Sequence, residues 1–180
     1  MRIIGIDPGT ACGWAVYEGR SVVASGTWDL SSRRFEGGGM RFVRFRKLFS
    51  ELLWVGGPAD LVAYEEVRRH LGVDAAHVYG GITSHLQQIC EEARVPYTAI
   101  PVATVKKLAT GKGNADKLAM IAAANQKWAL QLGPKDDDEA DARWIAQAAA
   151  EEHEVKREAA PTRSQPGLPS APLAVRAGRA

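Results

Sequence analysis

Residues 1–10 read Met1-Arg2-Ile3-Ile4-Gly5-Ile6-Asp7-Pro8-Gly9-Thr10, and this stretch decides the fold. Ile3, Ile4 and Ile6 commit residues 2–7 to a short buried strand, and Pro8-Gly9-Thr10 supplies the turn that ends it. Asp7 is therefore carried by a core element. Segments 12–18 and 21–28 alternate apolar and polar residues on either side of Glu18-Gly19-Arg20, which predicts a hairpin after the first strand.

Outward from there, helix and strand patterns alternate. Gly37, Gly38 and Gly39 precede a helix with Phe42, Phe45, Leu48, Phe49, Leu52 and Leu53 at helical spacing, closed by Gly56-Gly57-Pro58. Leu61-Val62-Ala63-Tyr64-Glu65 is a core strand that again ends on an acid. Residues 75–93 form a second helix, with Tyr79, Ile82, Leu86, Ile89 and Ala93 on one face, and Gly80-Gly81 inside it predicts close packing. A strand follows from Val95 to Ile100, stopped by Pro101. Helices near 102–109 and 115–129 flank Gly111-Lys112-Gly113. The last helix starts near Asp138, with Ala140, Trp144, Ile145 and Ala148 facing inward. Such alternation, opened by a hairpin, predicts an α/β domain with a mixed sheet flanked by helices. No internal repeat is visible, and the five tryptophans are expected mostly in the core.

Composition narrows the class. The 180 residues are 46% hydrophobic and 24% charged, near the soluble globular average, which excludes collagenous, wholly disordered and disulfide-scaffold chains. No apolar run approaches the roughly 18 residues of a membrane span, and no secretory leader pattern is evident. Cys12 and Cys90 are too few for a disulfide framework or a cysteine zinc site, so a reduced, cytoplasmic protein is expected. Residues 151–180 hold four of the nine prolines and no Phe, Tyr or Trp. The expected organisation is one domain over 1–152 and a disordered Pro/Ala/Arg-rich tail over 153–180.

The formal charge of +2 conceals two clusters. Residues 1–150 hold 18 Lys/Arg against 17 Asp/Glu, a net of +1. Five of those acids are Asp136, Asp137, Asp138, Glu139 and Asp141, whereas six bases and one acid lie between Arg33 and Lys47. A polyanion partner and a solvated helix face both produce such asymmetry.

Acids also end core elements in three separated segments: Asp7, Glu65, and Asp138 with Asp141. The last two are three apart, so they share a helix face with Cβ atoms about 5–6 Å apart. Crowded carboxylates stay ionised only when a cation or base compensates them. Oxygen donors without His or Cys nearby favour Mg²⁺ or Mn²⁺ over zinc. His70, His77, His85 and His153 show no ligand spacing. Read singly, each strand-end acid is more often loop-facing than functional.

The segments GIDPGT at 5–10, AYEEV at 63–67, TGKGNADK at 110–117 and DEADA at 138–142, in this order, carry a resemblance. Over residues 1–150 the chain resembles the RuvC-type Holliday junction resolvases of the ribonuclease H-like superfamily. That resemblance implies a mixed five-stranded sheet and a metal-dependent, structure-selective endonuclease of DNA recombination and repair. It implies that Asp7, Glu65, Asp138 and Asp141 hold two Mg²⁺, with Mn²⁺ able to substitute, and that Lys117 assists at the scissile phosphate. It also implies a homodimer placing paired symmetric nicks in a four-way junction, with no membrane partner. The resemblance selects Glu65 over Glu66, since neighbouring strand residues face opposite ways.

Family members often carry an aromatic shortly after the strand-end Glu, positioned to stack on a junction base. Here the stretch is Val67-Arg68-Arg69-His70, with Arg68 in the aromatic's place. Arg68, Arg69, His70, Lys112 and Lys117 are expected DNA contacts. Arg41, Arg44 and Lys47, spaced by three, are expected on one helix face against phosphates. Asp136 and Asp137 read as solvated acids or as helix N-terminal acids favoured by the dipole. The helix at 75–93 is the expected dimer face, or else packs only on its own sheet. Competing readings are a related nuclease of forks or packaging intermediates, a junction-binding module without activity, and an actin-like ATPase. The last needs two related lobes, which 180 residues without a repeat do not supply.

Overall fold

The computed structural model describes residues 1–67 and 72–159, with side chains as far as 155. Its strands are β1 (Arg2–Asp7), β2 (Ala11–Glu18), β3 (Ser21–Asp29), β4 (Leu61–Glu66) and β5 (Tyr97–Pro101). Its helices are α1 (Met40–Trp54), α2 (Val73–Ala93), α3 (Val102–Thr110), α4 (Lys117–Trp128) and α5 (Asp137–Ala159). The strands form one mixed sheet in the order β3-β2-β1-β4-β5. β1 pairs antiparallel with β2 and parallel with β4, and β5 runs parallel beside β4. The α/β class, the mixed five-stranded sheet and the sequence of elements agree with expectation. α5 runs seven residues past 152, beyond the change in composition, and residues 160–180 lie outside the described part.

Each face of the sheet carries its own core. Ile3, Ala15, Tyr17 and Ala63 pack against α3, α4 and α5. Ile4, Ile6, Cys12, Val62 and Tyr64 pack against α1 and α2, where Phe45, Phe49, Ile82 and Leu86 are buried. Alternation along β1 and β4 therefore sends Gly5 and Asp7, and Ala63 and Glu65, to the α5 side.

α5 lies unusually close to that side because two glycines admit it. A Cβ on Gly5 would meet the Ala142 carbonyl at 2.5 Å, and one on Gly13 would meet the Asp138 carbonyl at 1.9 Å. Only glycine lets helix backbone rest directly on strand backbone here.

Details depart from the sequence reading. Of the Gly80-Gly81 pair, only Gly81 is a close-packing site: a Cβ there would strike the Phe42 ring at 2.3 Å, while Gly80 borders open space. The residues Ile82, Leu86 and Ile89 of α2 pack into the core on their own side of the sheet. The tryptophans do lie mostly in the cores, Trp144 buried and Trp14, Trp28 and Trp128 packed half-buried against them, and only Trp54 is exposed, at 56%. No described helix is long and apolar enough to cross a membrane.

Candidate active site

Strand register places the acids. Asp7 sits opposite Gly13 on β2, the residue over which the Asp138 carbonyl lies. On the other side Ile6 pairs with Tyr64, which sets Asp7 and Glu65 next in line at the ends of parallel neighbours. Asp138 and Asp141 project from the first turns of α5, which crosses above. Three separated segments thus bring four carboxylates to one edge of the sheet.

Their electrostatics report the proximity. Asp7 is pushed well above the ordinary carboxylate range, first by burial and then by the charges of Glu65, Asp141, Asp138 and Asp137. Asp141 is raised from 3.8 to about 7, by burial and then chiefly by Glu65 and Asp137. Glu65 and Asp138 are raised as well, burial being the main cause for both. Asp141 Oδ1 is buried and receives no hydrogen bond. A buried acceptor without a donor is costly, and mutually repelling acids add to that cost.

The donor set fits a hard divalent cation: oxygen ligands, an orphaned acceptor and an excess of negative charge. Cys12 is no competing ligand, because burial and the Asp7 charge hold its thiol protonated. Among the described residues, no three His, Cys, Asp or Glu side chains are already drawn tightly enough to hold a metal ion.

Two lysines stand at the rim. Lys117, exposed at the start of α4, makes an ion pair with Asp137. Asp137 is therefore neither solvated nor merely a helix-dipole acid; it is largely buried and holds a lysine. Asp136 likewise works locally, accepting from the Gly133 amide at 2.7 Å to close the turn before α5. Lys106 was not singled out from the sequence. On α3 its ammonium donates to the Ala115 carbonyl at 2.7 Å, and its charge favours the ionised forms of Glu65 and Asp141. Its only sequence signal is a position shortly after β5, at the same sheet edge.

The expected DNA contacts divide. Lys112 is exposed in the turn between α3 and α4, where Gly111 takes a positive φ of 78° and Asp116 caps α4 through the Ala119 amide. Arg41 and Lys47 lie on α1, Arg41 with one bond to Ser32. Arg44 is turned inward, its guanidinium bonding Glu36 Oε2 at 2.8 Å and the Ser31 carbonyl at 2.5 Å. Arg68, Arg69 and His70 lie outside the described residues.

A five-stranded mixed sheet of this order, with acids at the ends of β1 and β4 and on the helix packed over them, defines a ribonuclease H-like nuclease domain. The chain belongs to the RuvC family. It is 30% identical over 154 residues to the crossover junction endodeoxyribonuclease RuvC of Synechococcus sp. (strain WH7803), covering 81% of this chain and 96% of that relative. Among solved structures it resembles T. thermophilus RuvC in complex with a Holliday junction substrate, with a TM-score of 0.75 and 25% identity over 87% of this chain and 96% of that one. A second T. thermophilus RuvC structure gives a TM-score of 0.72 and 26% identity, over 87% and 97% of the two chains. The yeast mitochondrial Holliday junction resolvase Ydc2, at 14% identity and a TM-score of 0.52 over 87% and 84%, is alike in fold. No protein-family model matches the chain.

Proposed function

We propose that this chain is a metal-dependent endonuclease that resolves four-way DNA junctions in the cytoplasm by paired symmetric nicks. The observation that carries the reading is the convergence of Asp7, Glu65, Asp138 and Asp141 with an orphaned Asp141 oxygen. These four would hold two Mg²⁺ or Mn²⁺. When bound, such ions activate water on one side of a phosphate and stabilise the leaving 3′ oxygen on the other.

The chain's own residues do the positioning. β1, β4 and α5 are core elements, so each carboxylate has a fixed origin, which in-line attack on a phosphodiester requires. The Lys106 charge favours the ionised forms of Glu65 and Asp141 and so opposes the effect of their burial. Lys117 sits on Asp137 at the rim, close enough to the acids that Asp138 and Asp141 also favour its charged form. Exchanging Asp137 for a phosphate oxygen would steady the strand being cut. Symmetric nicks need two sites related by a two-fold axis, which a homodimer supplies.

The deciding assay offers purified protein four-way junctions, forks, flaps and linear duplex with Mg²⁺, and maps both nicks. Symmetric cuts confined to junctions are expected. Asp7→Asn and EDTA should each abolish cleavage, with junction binding retained by the variant. Full cleavage by Asp7→Asn would overturn the site, and a preference for forks would move the substrate to other branched DNA.

A further inference from the structure

The segment between β3 and α1 is a built platform that presents one aromatic ring to solvent. Phe35 is 93% exposed, far more than any other large apolar side chain described. It is not on a slack loop. The Glu36 amide bonds the Arg33 carbonyl at 3.1 Å, so residues 33–36 form a β-turn with Arg34 and Phe35 at its centre. The Arg33 amide in turn donates to Glu36 Oε2 at 3.2 Å, and Arg44 clamps both Glu36 and the Ser31 carbonyl. Arg41 reaches Ser32 from the same helix. The Arg34 guanidinium lies 5.5 Å from the centre of the Phe35 ring.

The platform stands at the catalytic edge. β3 runs parallel to β1, so its end at Asp29 lies at the same edge of the sheet as Asp7 and Glu65. The Leu30 amide bonds the Thr10 carbonyl at 2.8 Å, tying the start of the segment to the turn just after Asp7. Two depressions of about 180 and 310 Å³ meet at Val78, one reaching Thr10 and the other Gly38 and Arg41. Together they run from the turn after Asp7 to the start of α1.

A bare ring left in water is unfavourable unless something covers it. Here the Arg34 guanidinium lies against the ring, and Arg33 and Arg41 belong to the same braced segment, a charge that suits a polyanion which also offers flat π faces. We propose that Phe35 stacks on an unpaired base of the branched DNA, while the neighbouring arginines hold its phosphates. Paired bases inside a duplex leave no face for the ring; bases at a branch point do. Phe35 thus discriminates branched from linear DNA, an inference that deepens the junction-nuclease reading and rests on it.

The test uses the full chain in EDTA, so that nothing is cut, and two DNAs carrying 2-aminopurine: a four-way junction labelled at the branch and a duplex with one unpaired base. Wild-type protein should change the probe's emission on both. Phe35→Ala should lose that change and bind both about tenfold more weakly, the scale of one base–aromatic stack, with linear duplex affinity and salt slope unaltered. Phe35→Trp should restore both readouts, and Phe35→Leu should not. Melting curves establish that each variant folds, as expected for so exposed a residue. Wild-type affinity in Phe35→Ala, an equal loss on linear duplex, or full rescue by leucine would each overturn the proposal. If Phe35-dependent stacking is seen but Mg²⁺ brings no cleavage, the nuclease reading fails and this one stands.

Discussion

The hydroxyl of Tyr79 on α2 donates to the carbonyl of Glu65 at 2.8 Å and so grips, from the opposite face of the sheet, the backbone that carries a site carboxylate. The same oxygen accepts from the Val67 amide at 3.2 Å, closing a bridge across the end of β4. A helix that packs its apolar residues into the core therefore also sets the reach of a proposed active-site acid. Tyr79→Phe keeps the ring and removes the bridge. Its stability cost should be about 1 kcal/mol, the net worth of an ordinary hydrogen bond. Single-turnover cleavage should slow by roughly tenfold or more, since small misplacements are expensive in catalysis. Junction affinity in EDTA should not change; a loss of affinity matching the loss of rate would remove the positioning role.

Gly13 tests whether backbone contact between β2 and α5 fixes the site. Gly13→Ala puts a methyl 1.9 Å from the Asp138 carbonyl, so α5 must shift. Overpacking of this kind costs about 1–3 kcal/mol, which lowers the melting temperature by roughly 2–10 °C in a domain this size. Cleavage should fall further than stability explains, because Asp138 and Asp141 move with the helix. Gly37→Ala, where the added atom meets nothing within 4 Å, is the control.

Asp141 predicts a pH dependence with a definite sign. Its carboxyl is raised from 3.8 to about 7 in the fold, so between those values the folded chain binds more protons than the unfolded one. Metal-free stability should fall as pH rises from about 4 to about 7 and stay reduced above. In EDTA at pH 8, Asp141→Asn should therefore melt higher than wild type, by roughly 2–10 °C for about 1–3 kcal/mol, with the gain vanishing near pH 4. Cation binding needs the ionised form, so Mg²⁺ affinity should climb up to about pH 7. Lys106→Met should move that rise to higher pH, and an unmoved profile would take Lys106 out of the site's electrostatics.

Much of this was legible in the sequence because local patterns and core demands agree. The isoleucines of β1, the Gly19 turn and the helical spacing of Phe45, Phe49 and Leu53 each specify one element. Strand alternation separates Glu65 from Glu66 once Ala63 and Tyr64 are known to face opposite cores. What stayed hidden depends on contacts between distant segments. Nothing local tells that Asp137 meets Lys117, that Lys106 faces Glu65, or that α2 presents Tyr79 to the end of β4. Gly13 reads as a hairpin residue until α5 is seen lying on it.

Arg44 makes the last such case, because helical spacing alone groups it with Arg41 and Lys47. In the fold its guanidinium braces Glu36 and Ser31, and its neighbourhood holds the Glu36 carboxyl below its usual range. The three residues should then separate by salt dependence. Arg41→Ala and Lys47→Ala should each flatten the log–log salt slope of junction binding by about 0.9, one phosphate's worth of released counterions. Arg44→Ala should leave the slope near wild type yet weaken junction binding, because it loosens the turn that presents Phe35. Its defect should not add to that of Phe35→Ala, since both remove the same contact. Binding titrations between about 50 and 200 mM salt on the single and double variants decide it. A slope flattened equally by all three would return Arg44 to the phosphate-contacting face.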